Sequence, residues 1–126
     1  MSRFEFRYLF DGKLCDVVTI DFNKEHVYIL ADDKCAIRVK LNSKNLFQSI
    51  GKRDKNGTLI YEGDIVHKKY NKDHRGNKMN STVVFCQQYA EYQLSDENGL
   101  HRIPANADNL EIVGNICKNP EIKKGG

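Results

Sequence analysis

Turn dipeptides cut this chain into pieces too short for ordinary helices. Asp11-Gly12, Asn56-Gly57, Glu62-Gly63 and Asn98-Gly99 punctuate it, and glycine supplies the positive φ that a tight reversal needs. Between the turns run short alternating segments. "RFEFRYLF" puts Phe4, Phe6 and Tyr8 on one face, and "CAIRVKL" does the same for Cys35, Ile37, Val39 and Leu41. "LCDVVTIDF", "HVYILA", "TLIY", "DIVHKKY", "STVVFCQQ", "AEYQLSD" and "LEIVGNIC" are rich in β-branched and aromatic residues, which suit a pleated surface. Many short strands with regular turn signals predict a mainly β domain, all-β or β-rich α+β. The expected architecture is a small SH3-like, partly closed barrel of short antiparallel strands with at most one or two short helices. "NSKNLFQSIG" is where a helix is expected, over 43–50, capped by Asn42 or Ser43 and ended by Gly51. "NKDHRGNKMN" reads as a loop. The predicted core draws on Phe4, Phe6, Val18, Ile20, Val27, Ile29, Ile37, Val39, Ile60, Ile65, Val84, Ile112 and Ile116.

A chain of 126 residues fits one domain and can bury a core without metals or disulfides. The expectation is a single β-rich domain over 1–122 and a flexible tail over 123–126. Its four cysteines, Cys15, Cys35, Cys86 and Cys117, are widely spaced and form no C-x-x-C, so they read as reduced thiols rather than zinc ligands. The start "MSRFEFRYLF" is too charged for a secretory signal, and no apolar run reaches membrane-spanning length. These features predict a protein of a reducing cytoplasm, with no membrane partner and no metal or other cofactor.

The stretch "RDKNGTLIYEGDIV", residues 53–66, concentrates turn chemistry. Asn56, Gly57, Glu62, Gly63 and Asp64 are expected to build a structural corner, with Asp64 bonding its own turn backbone and Glu62 exposed. Candidate binding residues lie further on. "HKKYNKDHRGNK" gathers Lys68, Lys69, Lys72, Arg75 and Lys78 around Tyr70, and charge with an aromatic suits a phosphate-bearing partner. The same composition also suits a solvated loop. Tyr89 and Tyr92, with Gln87 or Gln88, offer a second binding face or part of the barrel rim. No catalytic residue is assigned. His67, His74, His101 and Cys86 show no nucleophile–base spacing. A hydrolase or nuclease would have only Glu62, Asp64 and Asp96 to offer.

Three segments, in order, carry a family resemblance: "FRYLFDGKL" near the start, "LFQSIGKRDKNGTLIYEGDIV" at 46–66 and "NLEIVGNICKNPEI" at the end. They resemble the YopX-like proteins of bacteriophages and prophages, in which an FRxW-like opening, an "IYEGDIV" segment after an Asp-Lys-Asn-Gly turn and a closing "EVIGNIYENPEL" recur. Here "QSIGKRD" stands where "QYTGLKD" is usual, and residues 67–110 carry no family motif. The resemblance implies a β-rich phage protein, often self-associating, with no catalytic residues to carry over. The resulting expectation is a non-enzymatic accessory protein in the host bacterial cytoplasm that acts by binding. It would inhibit a host antiviral defence factor or sequester an anionic, nucleotide-like signal. The alternative is a nucleic-acid-binding regulator that uses the basic 67–80 segment.

Overall fold

In the computed structural model, residues 5–31, 35–72 and 78–118 are described, less the side chains of 69–72 and 78. The described residues form β1 (Phe6–Phe10), β2 (Lys13–Asp21), β3 (His26–Leu30), β4 (Ala36–Lys40), β5 (Leu46–Arg53), β6 (Leu59–Tyr61), β7 (Asp64–Lys72), β8 (Lys78–Cys86), β9 (Glu91–Asp96), β10 (Gly99–Arg102) and β11 (Leu110–Asn115). Two 3-10 turns, Ser43–Asn45 and Ala107–Asn109, are the helical pieces among them. The strands make a six-stranded sheet, β4-β3-β2-β1-β5-β6, and a five-stranded one, β10-β9-β8-β7-β11. The chain is thus mainly β, as its alternation predicts, although the two sheets do not close into a full barrel. No helix of the described residues is long and apolar enough to cross a membrane.

Two apolar clusters fill the core, one within the six-stranded sheet and one where β5 and β6 meet the five-stranded sheet. Tyr8, Cys15, Val27 and Ile29 form the first, with Val17, Ile20, Ile37 and Val39 packed against it. Strand β3 shows the reason plainly: in "HVYIL" only Val27 and Ile29 are buried, the period of a sheet wet on one side. Ile60, Val66, Val83, Leu94, Ala107 and Leu110 form the second cluster. Here β6 is buried at all three positions, because it is covered on both faces.

Four expectations are corrected. The helix over 43–50 shrinks to one 3-10 turn at 43–45, and β5 begins at Leu46. Its backbone pairs with β1 instead, Tyr8 against Leu46, and Gly51 sits within β5 at φ +79°. Val18 is 55% exposed, because a register shift in the β2–β3 ladder between Val17 and Thr19 turns it outward. Of the adjacent valines on β8, Val83 is buried at 1% exposure and Val84 only partly. The described residues of the 67–80 segment, 67–72 and 78–80, are strand rather than loop. Strand β7 continues to Lys72 and β8 starts at Lys78, with those two residues paired. A ladder needs backbone groups rather than apolar side chains, and buried His67 and Met79 anchor its base. Phe4 lies outside the described residues.

Candidate functional site

The 53–66 corner is held by two buried carboxylates. Asp54, 4% exposed, accepts through Oδ1 from the backbone N–H groups of Asn56 and Thr58, each at 2.9 Å. Its Oδ2 accepts from Ile112 N on β11 at 3.0 Å. Gly57 sits in this turn at φ +80°. Asp64, 2% exposed, accepts through Oδ2 from Tyr61 N at 2.8 Å, and so closes its own turn. Its Oδ1 accepts from Asn115 Nδ2 at 3.0 Å, and Arg7 Nη1 stands 4.0 Å away. Burial raises the Asp64 carboxyl above its ordinary range and outweighs the donors Tyr61, Asn115 and Arg7. The Arg7 guanidinium also lies 3.9 Å from the centre of the Tyr61 ring. Gly63, at φ +88°, donates to Val83 O at 2.8 Å and accepts from Ile116 N at 3.0 Å. The corner is therefore a joint, which ties β1, β8 and β11 together.

Glu62 differs from its two acidic neighbours. It is half-buried rather than exposed, and its backbone N–H donates to Gln48 O at 2.9 Å. Burial raises its carboxyl above the ordinary value, against a hydrogen bond from the Gln48 backbone. It opens into a cleft of about 350 Å³ whose lining includes Lys44, Phe47, Gly63, Phe85 and Ile116. Gly63 keeps the cleft floor low. An added Cβ would lie 3.4 Å from Phe47 and 3.5 Å from Ile116.

The two tyrosines noted from the sequence separate here. Tyr92 on β9 packs against the second core cluster, meets Phe85 edge-on with ring centres 5.2 Å apart, and points its O–H at Gln48 Oε1 at 3.4 Å. Burial, and then the charge of Glu62, raise its phenol above the usual value. Tyr89 sits in the β8–β9 turn, 59% exposed, and Phe85 is 45% exposed. Of the basic set, Lys68 is half-buried on β7 opposite Leu110. Lys69, Tyr70, Lys72 and Lys78 continue the hairpin strands, but their side chains, and Arg75 and His74 entirely, lie outside the described residues.

Sequence reading missed one polar cluster. Asp96 stands between Ser81 and His101. Its Oδ2 accepts from Ser81 Oγ at 3.1 Å, and its Oδ1 lies 3.1 Å from His101 Nε2. Burial would raise this carboxyl, but hydrogen bonds from Asn98 N, His101 and Ser81 outweigh it and hold it below the ordinary range. The acid is in the middle. The histidine makes its contact with the carboxylate and not with the serine, so this order does not activate a nucleophile. Ser81 and Asp96 lie on different strands, and no local spacing betrays them. Cys86 is buried, and burial pushes the Cys117 thiol up, away from a reactive thiolate. No group of three or more His, Cys, Asp or Glu among the described residues is placed to hold a metal.

Comparison with known proteins agrees with this fold. No curated protein sequence matches the chain. The structure entitled "Crystal structure of protein EF1440 from Enterococcus faecalis" is similar, with a TM-score of 0.57 at 20% identity, over 94% of this chain and 96% of that one; at such low identity the likeness is one of fold. The model of the YopX protein family matches residues 6–123, a span that contains the joint, the cleft and the basic hairpin, and the chain belongs to that family.

Proposed function

We propose that this is a phage-encoded accessory protein that acts by binding rather than by catalysis, and that its target is a host antiviral defence factor in the bacterial cytoplasm. The observation that carries the reading is the outward face of the β8–β9 hairpin. Phe85, 45% exposed, lines the cleft at Glu62, and Tyr89, 59% exposed, stands in the turn that follows β8. Aromatic side chains next to a recess are the anchors on which protein interfaces concentrate their energy. Three of the acids a catalyst could recruit already serve the fold, since Asp54 and Asp64 hold backbone and side-chain donors and Asp96 holds Ser81 and His101; Glu62 is the remaining one. Self-association belongs to the same reading, since it would multiply a weak face through avidity. The test is co-expression with candidate defence systems, scored by phage plating. Wild type should restore plating on its target system. The double variant Phe85→Ser, Tyr89→Ser should lose that effect at an unchanged melting temperature. Failure of wild type to alter plating on any system would count against the proposal.

A second reading rests on the hairpin itself. Lys68, Lys69, Lys72 and Lys78 lie along paired strands rather than in a loop, and a two-stranded ribbon is a shape that enters a nucleic-acid groove. The same charges would serve a nucleotide-like anion. Retention of DNA or RNA that falls steeply with added salt would favour this reading; no retention at low salt would remove it.

A further inference from the structure

We infer that the cleft beside Glu62 receives an arginine side chain of the protein partner, an inference that rests on the reading above. Three acids sit within the signature corner, and two of them are saturated by the fold. Asp54 accepts three backbone N–H groups, and Asp64 is met by Tyr61 N, Asn115 and Arg7. Glu62 is the exception. Its carboxyl has the Gln48 backbone, and no Lys, Arg or His of the described residues forms an ion pair with it. Burial has already raised its proton affinity, so a cation arriving in the cleft relieves a cost that the free protein bears.

The rest of the lining selects the cation. Phe47, Phe85 and Ile116 share the cleft with Glu62. A guanidinium is flat and weakly hydrated, stacks on aromatic faces, and presents paired N–H groups to a carboxylate. An ammonium is more strongly hydrated and loses more on entering an apolar recess. The volume of about 350 Å³ admits a side chain, and the absent side chain at Gly63 leaves its floor open. Lys44 is exposed and part of the same lining; its charge opposes any arriving cation, so the attraction has to come from direct contact with Glu62 and from stacking on the rings. Phe85 in the lining is 45% exposed, and Tyr89 in the turn of the same hairpin is 59% exposed. A free cation would have no use for that exposed aromatic area, but residues flanking an arginine in a protein would cover it.

The experiment titrates isotope-labelled protein with a blocked Leu-Arg-Leu peptide and with the same peptide carrying citrulline, which keeps arginine's shape without its charge. Amide resonances of Glu62, Gly63 and Phe85 should move with the arginine peptide. The citrulline peptide should bind about tenfold more weakly or worse, as should the arginine peptide to Glu62→Gln. That variant keeps an oxygen for the Gln48 N–H, so its melting temperature should match wild type. Equal binding of the two peptides, or shifts confined to residues away from the cleft, would overturn the assignment. The plating assay separates this inference from the reading beneath it. If Phe85→Ser abolishes the phage effect and Glu62→Gln preserves it, the arginine receptor is wrong and the binding reading stands. If neither variant reduces the effect, both fall. If both reduce it and only the arginine peptide binds, both hold.

Discussion

The two ends of the five-stranded sheet are closed by different physics. At the inner end, β11 would be an open edge, and the 53–66 corner covers it. Lys55 N donates to Leu110 O at 2.8 Å, Ile112 N donates to Asp54 at 3.0 Å, and Ile116 N donates to Gly63 O at 3.0 Å. Backbone groups meet backbone groups or a buried carboxylate, and these three bonds occupy part of the edge that another chain would pair with. At the outer end, β10 is four residues long. Its ladder to β9 is supplemented by side chains, Asp96 with His101 and an ion pair at 3.5 Å between Arg102 and Glu91, while Leu100 stands 54% exposed. The inner end is costly to alter because its groups are dry. The outer end tolerates change better because His101 and Arg102 reach water, although the Asp96 side chain itself is buried.

The sharpest way to break this contrast is Asp54→Ala. It strands three backbone N–H groups, those of Asn56, Thr58 and Ile112. Unmade bonds to a buried carboxylate should cost about 2–4 kcal/mol, read by urea denaturation. A loss under about 1 kcal/mol would show that water reaches the joint and that the two ends are not different in kind. Next comes Gly63→Val. It forces a β-branched residue into φ +88° and brings Cβ to 3.4 Å from Phe47, at a cost on the order of 1–3 kcal/mol. Glu62→Gln beside it should leave stability nearly unchanged. Equal losses from the two would mean that Glu62 has a structural partner.

These two positions also show how far the sequence is readable. Asn56-Gly57 and Gly63 announce reversals, because positive φ has a residue signature. Val27 and Ile29 announce a half-wet strand, because burial on one face has a period. Asp54 announces nothing. Its third donor, Ile112, is 58 residues away, and a carboxylate beside a turn is locally the same whether it is solvated or buried. Val18 was misplaced by a register shift in the β2–β3 ladder, a feature that alternation cannot encode. The ends of strands β7 and β8, at 71–72 and 78–80, give no strand signal because pairing there runs through mostly polar residues. Glu62 reads as an exposed turn acid until β8 and Ile116 are folded over it.

A smaller effect separates the ends by pH. Asp96 is held below its ordinary carboxylate value, so the folded state binds its proton less readily than the unfolded chain. Its contribution is present in full above the unfolded value and is lost as pH falls through the folded one. Asp64, raised by burial, has the opposite sign: its ionisation opposes folding, and acidification through its raised value relieves that. Asp96→Asn preserves the geometry, since the amide can donate to Ser81 and its oxygen can serve Asn98 and His101. It should cost on the order of 1 kcal/mol at neutral pH. Its thermal stability should then converge with wild type as pH is lowered through the acid range. A gap that stayed constant would mean that the charge of Asp96 contributes nothing.

The smallest expected effect on stability lies farthest from the joint. Lys68, Lys69, Lys72, Arg75 and Lys78 can all be changed to Ser in one variant. The hairpin is anchored at its base, where His67 and Met79 are 6% and 3% exposed and His67 Nδ1 lies 3.2 Å from Met79 O. The anchor is built by His67 and Met79, and charges that reach water contribute little to folding. The total loss should stay under about 1 kcal/mol, even though the variant removes five positive charges from a chain whose net charge is +3. A melting temperature near that of wild type, with capture of the partner intact, would place function at the Glu62 cleft and leave the hairpin a solubilising extension. The same melting temperature with capture abolished would move function to the ribbon, because charge there steers an anionic partner without taking part in the fold. A collapse in stability would mean that the β7–β8 extension is as much a part of the fold as the corner that covers β11.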